Sequence, residues 1–246
     1  MKKVITILIC LFIHYFSFSQ WESIYFSTRM SMHNNLYSSP PNKLNERSLN
    51  TPDGAIQLFP DIKKNDTITY FYFAPTFNAD IFLNFDFIDN NTGIAVGAQY
   101  SETTLRYKYY TVGKSYLLEE ENNIKSISIP LFLKFGVFEE NQYFFFIGGK
   151  YNINYEIKQT QTVNFNEEIK FRNLKKEEFK DNITIFIGVN IKMFNIEFDY
   201  TPNTYLNTDF FDINEINPYS NQRGGIFTLR TSFNFPFSRD FLKEIF

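Results

Sequence analysis

Around one tight connection near the middle of the chain, apolar and polar positions alternate for an unusual length. Ile127, Ile129, Leu131, Leu133, Phe135 and Val137 alternate with Ser126, Ser128, Pro130, Phe132, Lys134 and Gly136. Beyond Glu139-Glu140-Asn141, Tyr143, Phe145, Ile147, Gly149, Tyr151, Ile153, Tyr155 and Ile157 alternate with Phe144, Phe146, Gly148, Lys150, Asn152, Asn154, Glu156 and Lys158. A period of two on both sides of a short connection predicts an antiparallel hairpin with one apolar and one polar face. Ordinary strands run about five or six residues, so strands this long are expected to span a membrane.

The same period predicts six further strands. The first covers residues 21–33, with Ile24, Phe26, Thr28 and Met30 on one face and Ser23, Tyr25, Ser27, Arg29 and Ser31 on the other. The second covers residues 67–87, with Phe77, Ile81, Leu83 and Phe85 opposed to Asn78, Asp80, Asn84 and Asp86. In the third, residues 92–110, Leu105, Tyr107 and Tyr109 fall out of phase with Ile94, Val96, Ala98 and Tyr100, which predicts a bulge at residues 102–104. Residues 183–193, 196–201 and 225–235 supply the last three. Asp89-Asn90-Asn91 with Gly93 marks a turn. Residues 34–66 read as a long loop with a short strand at 55–59, residues 111–123 as a polar connection, and residues 206–222 as an acidic one. Residues 160–180 are highly charged, with a small hairpin of their own.

Eight strands joined alternately by short and long connections predict an all-β, eight-stranded antiparallel up-and-down transmembrane β-barrel, with short periplasmic turns and long extracellular loops. Lipid offers no partners to an open sheet edge, so a spanning sheet has to close. A soluble barrel of the lipocalin kind, apolar face inward, shares the alternation. Strand length, loop asymmetry and aromatic abundance favour the membrane version, in which the polar face fills the lumen. That face carries Arg29, Asp80, Lys134, Lys150, Glu197, Asp199 and Arg230, of mixed sign. An eight-stranded barrel is only wide enough for side chains, so these predict a packed lumenal ionic network, with Arg29 beside Asp80 and Asp199 beside Arg230.

The start of the chain and the composition add the compartment. Lys2 and Lys3, an apolar run over residues 4–16, then Ser17 and Ser19 match a signal peptide cleaved before Gln20. The expected organisation is a signal peptide at 1–19, a barrel domain at 20–237 and a tail at 238–246. Cys10 lies inside the apolar run, so the mature chain would hold no disulfide and no thiolate metal site. Without Lys2 and Lys3, 22 basic residues face 27 acidic ones, a balance that argues against a nucleic-acid partner.

Candidate chemistry is sparse. His33 is the sole histidine beyond the signal peptide, and a hydrolase at the membrane rim would pair it with Ser31 or Ser38. Glu197 and Asp199 share one strand face, a spacing open to acid and base work, but ion pairing explains them with fewer assumptions. Asp209, Asp212 and Glu215 with Asn214 lack the glycine and spacing of a calcium loop. No catalytic, cofactor-binding or metal site is assigned.

Ile129-Pro130-Leu131 leading into Leu133-Lys134-Phe135-Gly136, then Gly148-Gly149 within the next strand, resembles the central hairpin of the Bacteroidetes-type outer-membrane β-barrel family that includes the PorT-like proteins. Gly188 followed by Glu197-Phe198-Asp199-Tyr200, and a closing strand after Asn221-Gln222-Arg223, are similar too. The resemblance implies a bacterial outer-membrane location among lipid, insertion by the barrel-assembly machinery, and type IX secretion components as partners. The expected function is that of a non-enzymatic structural or accessory barrel that presents loops to partners or the exterior. A rim enzyme using His33 and a soluble carrier of an apolar ligand are the alternatives.

Overall fold

The computed structural model describes residues 21–38, 48–50, 56–58, 67–68, 76–87, 91–111, 114–138, 143–163, 168–203, 205–211 and 225–236. Eight long strands form the barrel: β1 (Trp21–Ser38), β2 (Thr76–Phe87), β3 (Thr92–Thr111), β4 (Lys114–Val137), β5 (Tyr143–Val163), β6 (Asn182–Ile191), β7 (Phe194–Thr201) and β8 (Ile226–Pro236). Each pairs antiparallel with its sequence neighbours, and β8 pairs with β1, so the sheet is closed. Register partners followed once around the wall run Tyr25, Asn84, Ala95, Phe132, Gly148, Phe186, Asp199, Thr228 and Asn35. The circuit returns to β1 ten residues above its start, and that stagger tilts eight strands by about 40°.

The apolar stripes face outward. Leu131, Phe145, Ile185 and Phe198 are each more than half exposed. On the inner face, Arg29, Asp80, Lys134, Glu197 and Arg230 are buried. This is the reverse of a lipocalin, whose apolar face lines a ligand cavity. The Ile127-to-Val137 stripe covers ten residue steps, about 25 Å at this tilt, the height of an outer-membrane apolar band.

Several boundaries differ from the sequence expectations, for one physical reason. Residues 114–123 are strand and not loop: β4 begins at Lys114 and pairs with β3 up to Thr111↔Lys114, while β5 runs on to Val163. β4 therefore rises about 30 Å above the apolar band. Outside lipid a strand needs no apolar face, so the alternation vanishes while the ladder continues. The hairpin expected within 160–180 is formed by Val163 and its predecessors pairing with Glu168–Asn173. The short strand expected at 55–59 is Ile56–Leu58, paired with Ser48–Asn50. The second strand starts at Thr76 and not at residue 67; Thr67–Ile68 forms a separate strand on β3.

The bulge expected at residues 102–104 is absent, since the β3–β4 register runs unbroken through them. Leu105 is out of phase because it faces the interior, where it is 1% exposed. A bulge lies instead between β4 and β5, where Lys125 pairs with Glu156 and Ser126 with Asn154. Tyr155 is the extra residue, and it turns Ile157 inward, away from the lipid stripe the sequence assigned it to. The β3–β4 pairing is also interrupted between Val96↔Leu131 and Gln99↔Ser128, where Pro130 brings no N–H to the ladder.

The lower interior is an aromatic core of Phe82, Phe132, Phe138, Phe144, Phe146 and Phe186 with Ala95. Phe132 lies edge-on to Phe82 at 5.3 Å and to Phe186 at 5.9 Å between centroids. These rings need glycines on the adjoining strands. A Cβ on Gly188 would stand 2.2 Å from Phe146 Cζ, and one on Gly148 would stand 2.5 Å from Phe132 Cβ. The lower barrel is therefore packed like a soluble core, inside a wall whose outside is equally apolar.

Two outcomes follow. Leu131→Arg, at mid-height on the lipid face, is expected to destabilise the inserted barrel by about 2–4 kcal/mol in equilibrium unfolding from vesicles. Gly188→Ala is expected to cost about 1–3 kcal/mol in the same assay by driving the Phe146 ring off its site.

Candidate functional site

Chemistry-bearing side chains converge in the lumen, in three storeys. Lowest is Lys134, which the strand alternation forces inward among the phenylalanines. Its Nζ donates to Asp86 Oδ1 at 2.5 Å and to Tyr25 Oη and Asn84 Oδ1 at 3.2 Å. It also lies 4.8 Å from the Phe138 ring centroid. Asp86 is thus the counter-ion of Lys134, a role the sequence reading left unassigned. The available signal was its position on the inner face of β2, at the lower rim that Lys134 also approaches.

The middle storey holds the other six predicted charges. Arg29 Nη1 meets Glu197 Oε2 at 3.3 Å. Lys150 Nζ reaches Asp199 Oδ2 at 2.5 Å and Glu197 Oε1 at 3.6 Å. Arg230 touches Asp199 at 3.4 Å, Glu197 at 3.6 Å and Asp80 at 3.7 Å. Asp199 and Arg230 are therefore brought together as expected. Arg29 and Asp80 are direct register partners, yet the Arg29 ion pair runs to Glu197 while Asp80 accepts from Gln99 at 2.8 Å. The reason is that the guanidinium of Arg29 lies across three rings, 4.6 Å from the Phe82 centroid, 5.4 Å from Phe146 and 5.5 Å from Phe132. Stacking on the aromatic core aims the Arg29 ion pair across the lumen at Glu197, while Asp80 on the neighbouring strand stays near enough to attract the guanidinium, as expected.

Three cations face three carboxylates in this storey, so its formal charge cancels. Charges removed from water are tolerated only when so compensated.

Above lies a cavity of about 60 Å³, walled by Ser101, Ser126, Asn152, Thr184 and Thr228, with Lys150, Asp199 and Arg230 on one side and Tyr205 on another. His33 lines it. The Glu102 N–H donates to Asn78 Oδ1 at 3.2 Å, which turns the Asn78 amide nitrogen toward His33 Nδ1 at 2.6 Å. The imidazole proton consequently sits on Nε2, facing Thr76 Oγ1 at 2.8 Å and Thr103 Oγ1 at 3.1 Å. A general base for a serine nucleophile needs its free nitrogen on that hydroxyl. Among the described residues the free nitrogen of His33 accepts from Asn78, and neither ring nitrogen reaches a serine. Ser31 is buried on the same strand, and the side chain of Ser38 falls outside the described residues.

A cover closes the β5–β7 side. The Leu174 N–H donates to Ile157 O at 2.9 Å, Lys180 N–H to Tyr205 O at 2.8 Å, and Asn207 N–H to Glu178 O at 2.8 Å. Leu174, Phe179, Tyr205 and Leu206 belong to this cover and are buried. Of the loop acids considered from the sequence, Asp209 is exposed in this segment, and residues 212–215 lie outside the described residues. Among the described residues no group of three or more histidine, cysteine, aspartate or glutamate side chains is arranged to hold a metal ion.

Removing one partner from the lowest storey isolates a buried charge. Lys134→Met is expected to destabilise the barrel by about 3–5 kcal/mol in urea unfolding. Adding Asp86→Leu to that variant is expected to restore most of the loss, because both charges are then gone.

Residues 18–203 match the model of the outer membrane protein beta-barrel domain. No curated protein matches the chain. Among solved structures, Neisserial surface protein A is similar at 11% identity and a TM-score of 0.34, over 88% of this chain and 97% of the other. An outward apolar band, a closed eight-stranded wall and a match over most of the sequence lead to one assignment: the chain belongs to the outer membrane protein beta-barrel domain family.

Proposed function

We propose that this is a sealed, non-enzymatic outer-membrane barrel with a structural or accessory role, which offers its tall upper hairpins and loops to partners or the cell exterior. The observation that carries the proposal is the filled lumen: an aromatic core below, a charge-balanced layer of six ionic side chains above it, and a cover over one side. A lumen packed to this degree has no room for a solute path. The functional surface then falls on the parts outside lipid, where β3, β4 and β5 outreach β6 and β7.

The finer proposal follows the resemblance of the central hairpin to PorT-like proteins. The chain is exported by a signal peptide cleaved near Gln20 in a Bacteroidetes-type bacterium, inserted by the barrel-assembly machinery with its short turns toward the periplasm, and serves type IX secretion as an accessory. Its continuous neighbours are outer-membrane lipids.

Two measurements test these levels separately. In planar bilayers the purified protein is expected to give no discrete ionic conductance steps; stable open channels would refute the sealed barrel. In mild-detergent purification from native membranes, co-recovery of secretion components is the result expected of the accessory role, and recovery without them reduces the proposal to the structural one.

A further inference from the structure

The polar wall of the upper cavity is wired in one direction. Ser128 Oγ donates to Asn152 Oδ1 at 2.6 Å, and Asn152 Nδ2 spends its hydrogens on Asn182 Oδ1 at 2.6 Å and Thr184 Oγ1 at 2.8 Å. Acceptors are thereby used up and donors are left over. Asn182 has its carbonyl oxygen taken but keeps its amide N–H groups, which have no partner among the described residues. Thr184 and Thr201 share one hydrogen bond at 2.7 Å, and so do Ser101 and Ser126. Whichever oxygen donates within each pair, one O–H is left for a third group. The ammonium of Lys150 is ion-paired with Asp199 and Glu197, which leaves it an N–H as well. All these donors belong to residues that line the cavity, and Asn182, Thr184, Lys150, Ser101 and Ser126 are more than nine-tenths buried.

Charge points the same way. Of the six ionic side chains in the middle storey, Lys150, Arg230 and Asp199 line the cavity, so its floor presents two cations and one carboxylate. One inner step above Ser126 and Thr228, Ile124 and Ile226 line the opposite, apolar end. A ligand that matches this lining accepts hydrogen bonds, carries a single negative charge and has an apolar end. The cavity of about 60 Å³ has room for about four water-sized groups, the number of non-hydrogen atoms in acetate.

We propose that the upper cavity binds a small monocarboxylate of the size of acetate. Its oxygens accept from Asn182, Lys150 and the spare hydroxyl of each pair, and its alkyl end meets Ile124 and Ile226. Burial strengthens these bonds, because charge-assisted donors act more strongly away from bulk water. The site goes beyond the sealed-barrel reading, since it uses the charges of the floor and not the seal beneath them.

The test is isothermal titration of sodium acetate into the purified barrel in non-ionic detergent. Sodium gluconate, an anion too large for the cavity, holds the ionic strength constant. The expected result is saturable binding at one site per chain, about tenfold tighter for acetate than for chloride or phosphate. Asn182→Asp still accepts from Asn152 but puts a carboxylate where the donor was, and is expected to weaken acetate binding about tenfold or more. Ser101→Ala with Ser126→Ala removes one spare O–H without adding charge, and is expected to weaken it about twofold to tenfold. Heat-modifiable gel mobility shows that each variant is folded. Absence of saturable acetate binding in the wild type, or unchanged affinity in either folded variant, would overturn the site. Chloride or phosphate binding as tightly as acetate would overturn the carboxylate as its ligand.

Discussion

Closure of the sheet in lipid is the constraint on which the rest of this structure depends. Hydrocarbon offers nothing to a free N–H or C=O, so β8 must return to β1 and every strand within the apolar band must be paired on both sides. Closure of eight strands with a ten-residue stagger then fixes the bore, and the bore fixes what the lumen can contain. There is space for one layer of interlocked side chains and little more. Each inward charge accordingly meets a counter-charge from another strand, as Lys134 from β4 meets Asp86 from β2, and Lys150 from β5 meets Asp199 from β7.

The interior divides its labour by height. Low down, rings lean over glycines of the neighbouring strands, and a single ammonium is held among them by Asp86, Asn84 and Tyr25. At mid-height the guanidinium of Arg29 belongs to both worlds, stacked on Phe82 and ion-paired with Glu197. Higher up, neutral amides and hydroxyls take over, as in the chain from Ser128 to Asn152 to Thr184 to Thr201. Cross-strand bonds of this kind tie the wall together from within, while outside only dispersion against lipid acts.

The sequence made the fold legible wherever lipid imposes a period of two, which is why β4, β5 and β6 could be placed almost residue by residue within the apolar band. Above the band the rule lapses, and Lys114 to Asn123 reads as loop although it is strand. Which lumenal charges meet was only partly legible. Counting from the turns brings Asp199 to Arg230, but the partner of Arg29 depends on a stacking contact with Phe82 that no single strand discloses. The aromatic core was visible only as an anomaly, since Phe132, Phe144, Phe146 and Phe186 occupy the face otherwise reserved for polar residues.

The bulge at Tyr155 bears on how such a chain can change length over evolutionary time. One residue added to a strand within the band would exchange its two faces, sending carboxylates to lipid and isoleucines into the ionic layer. Such an insertion is ruinous beside Glu197 or Arg230. Tyr155 stands where β5 leaves the apolar band, with Glu156 beside it on the half-exposed outer side. There an odd residue merely hands Ile157 to the covered upper interior. Single-residue gains and losses in relatives of this barrel should accumulate above that level, and changes within the band should come in pairs.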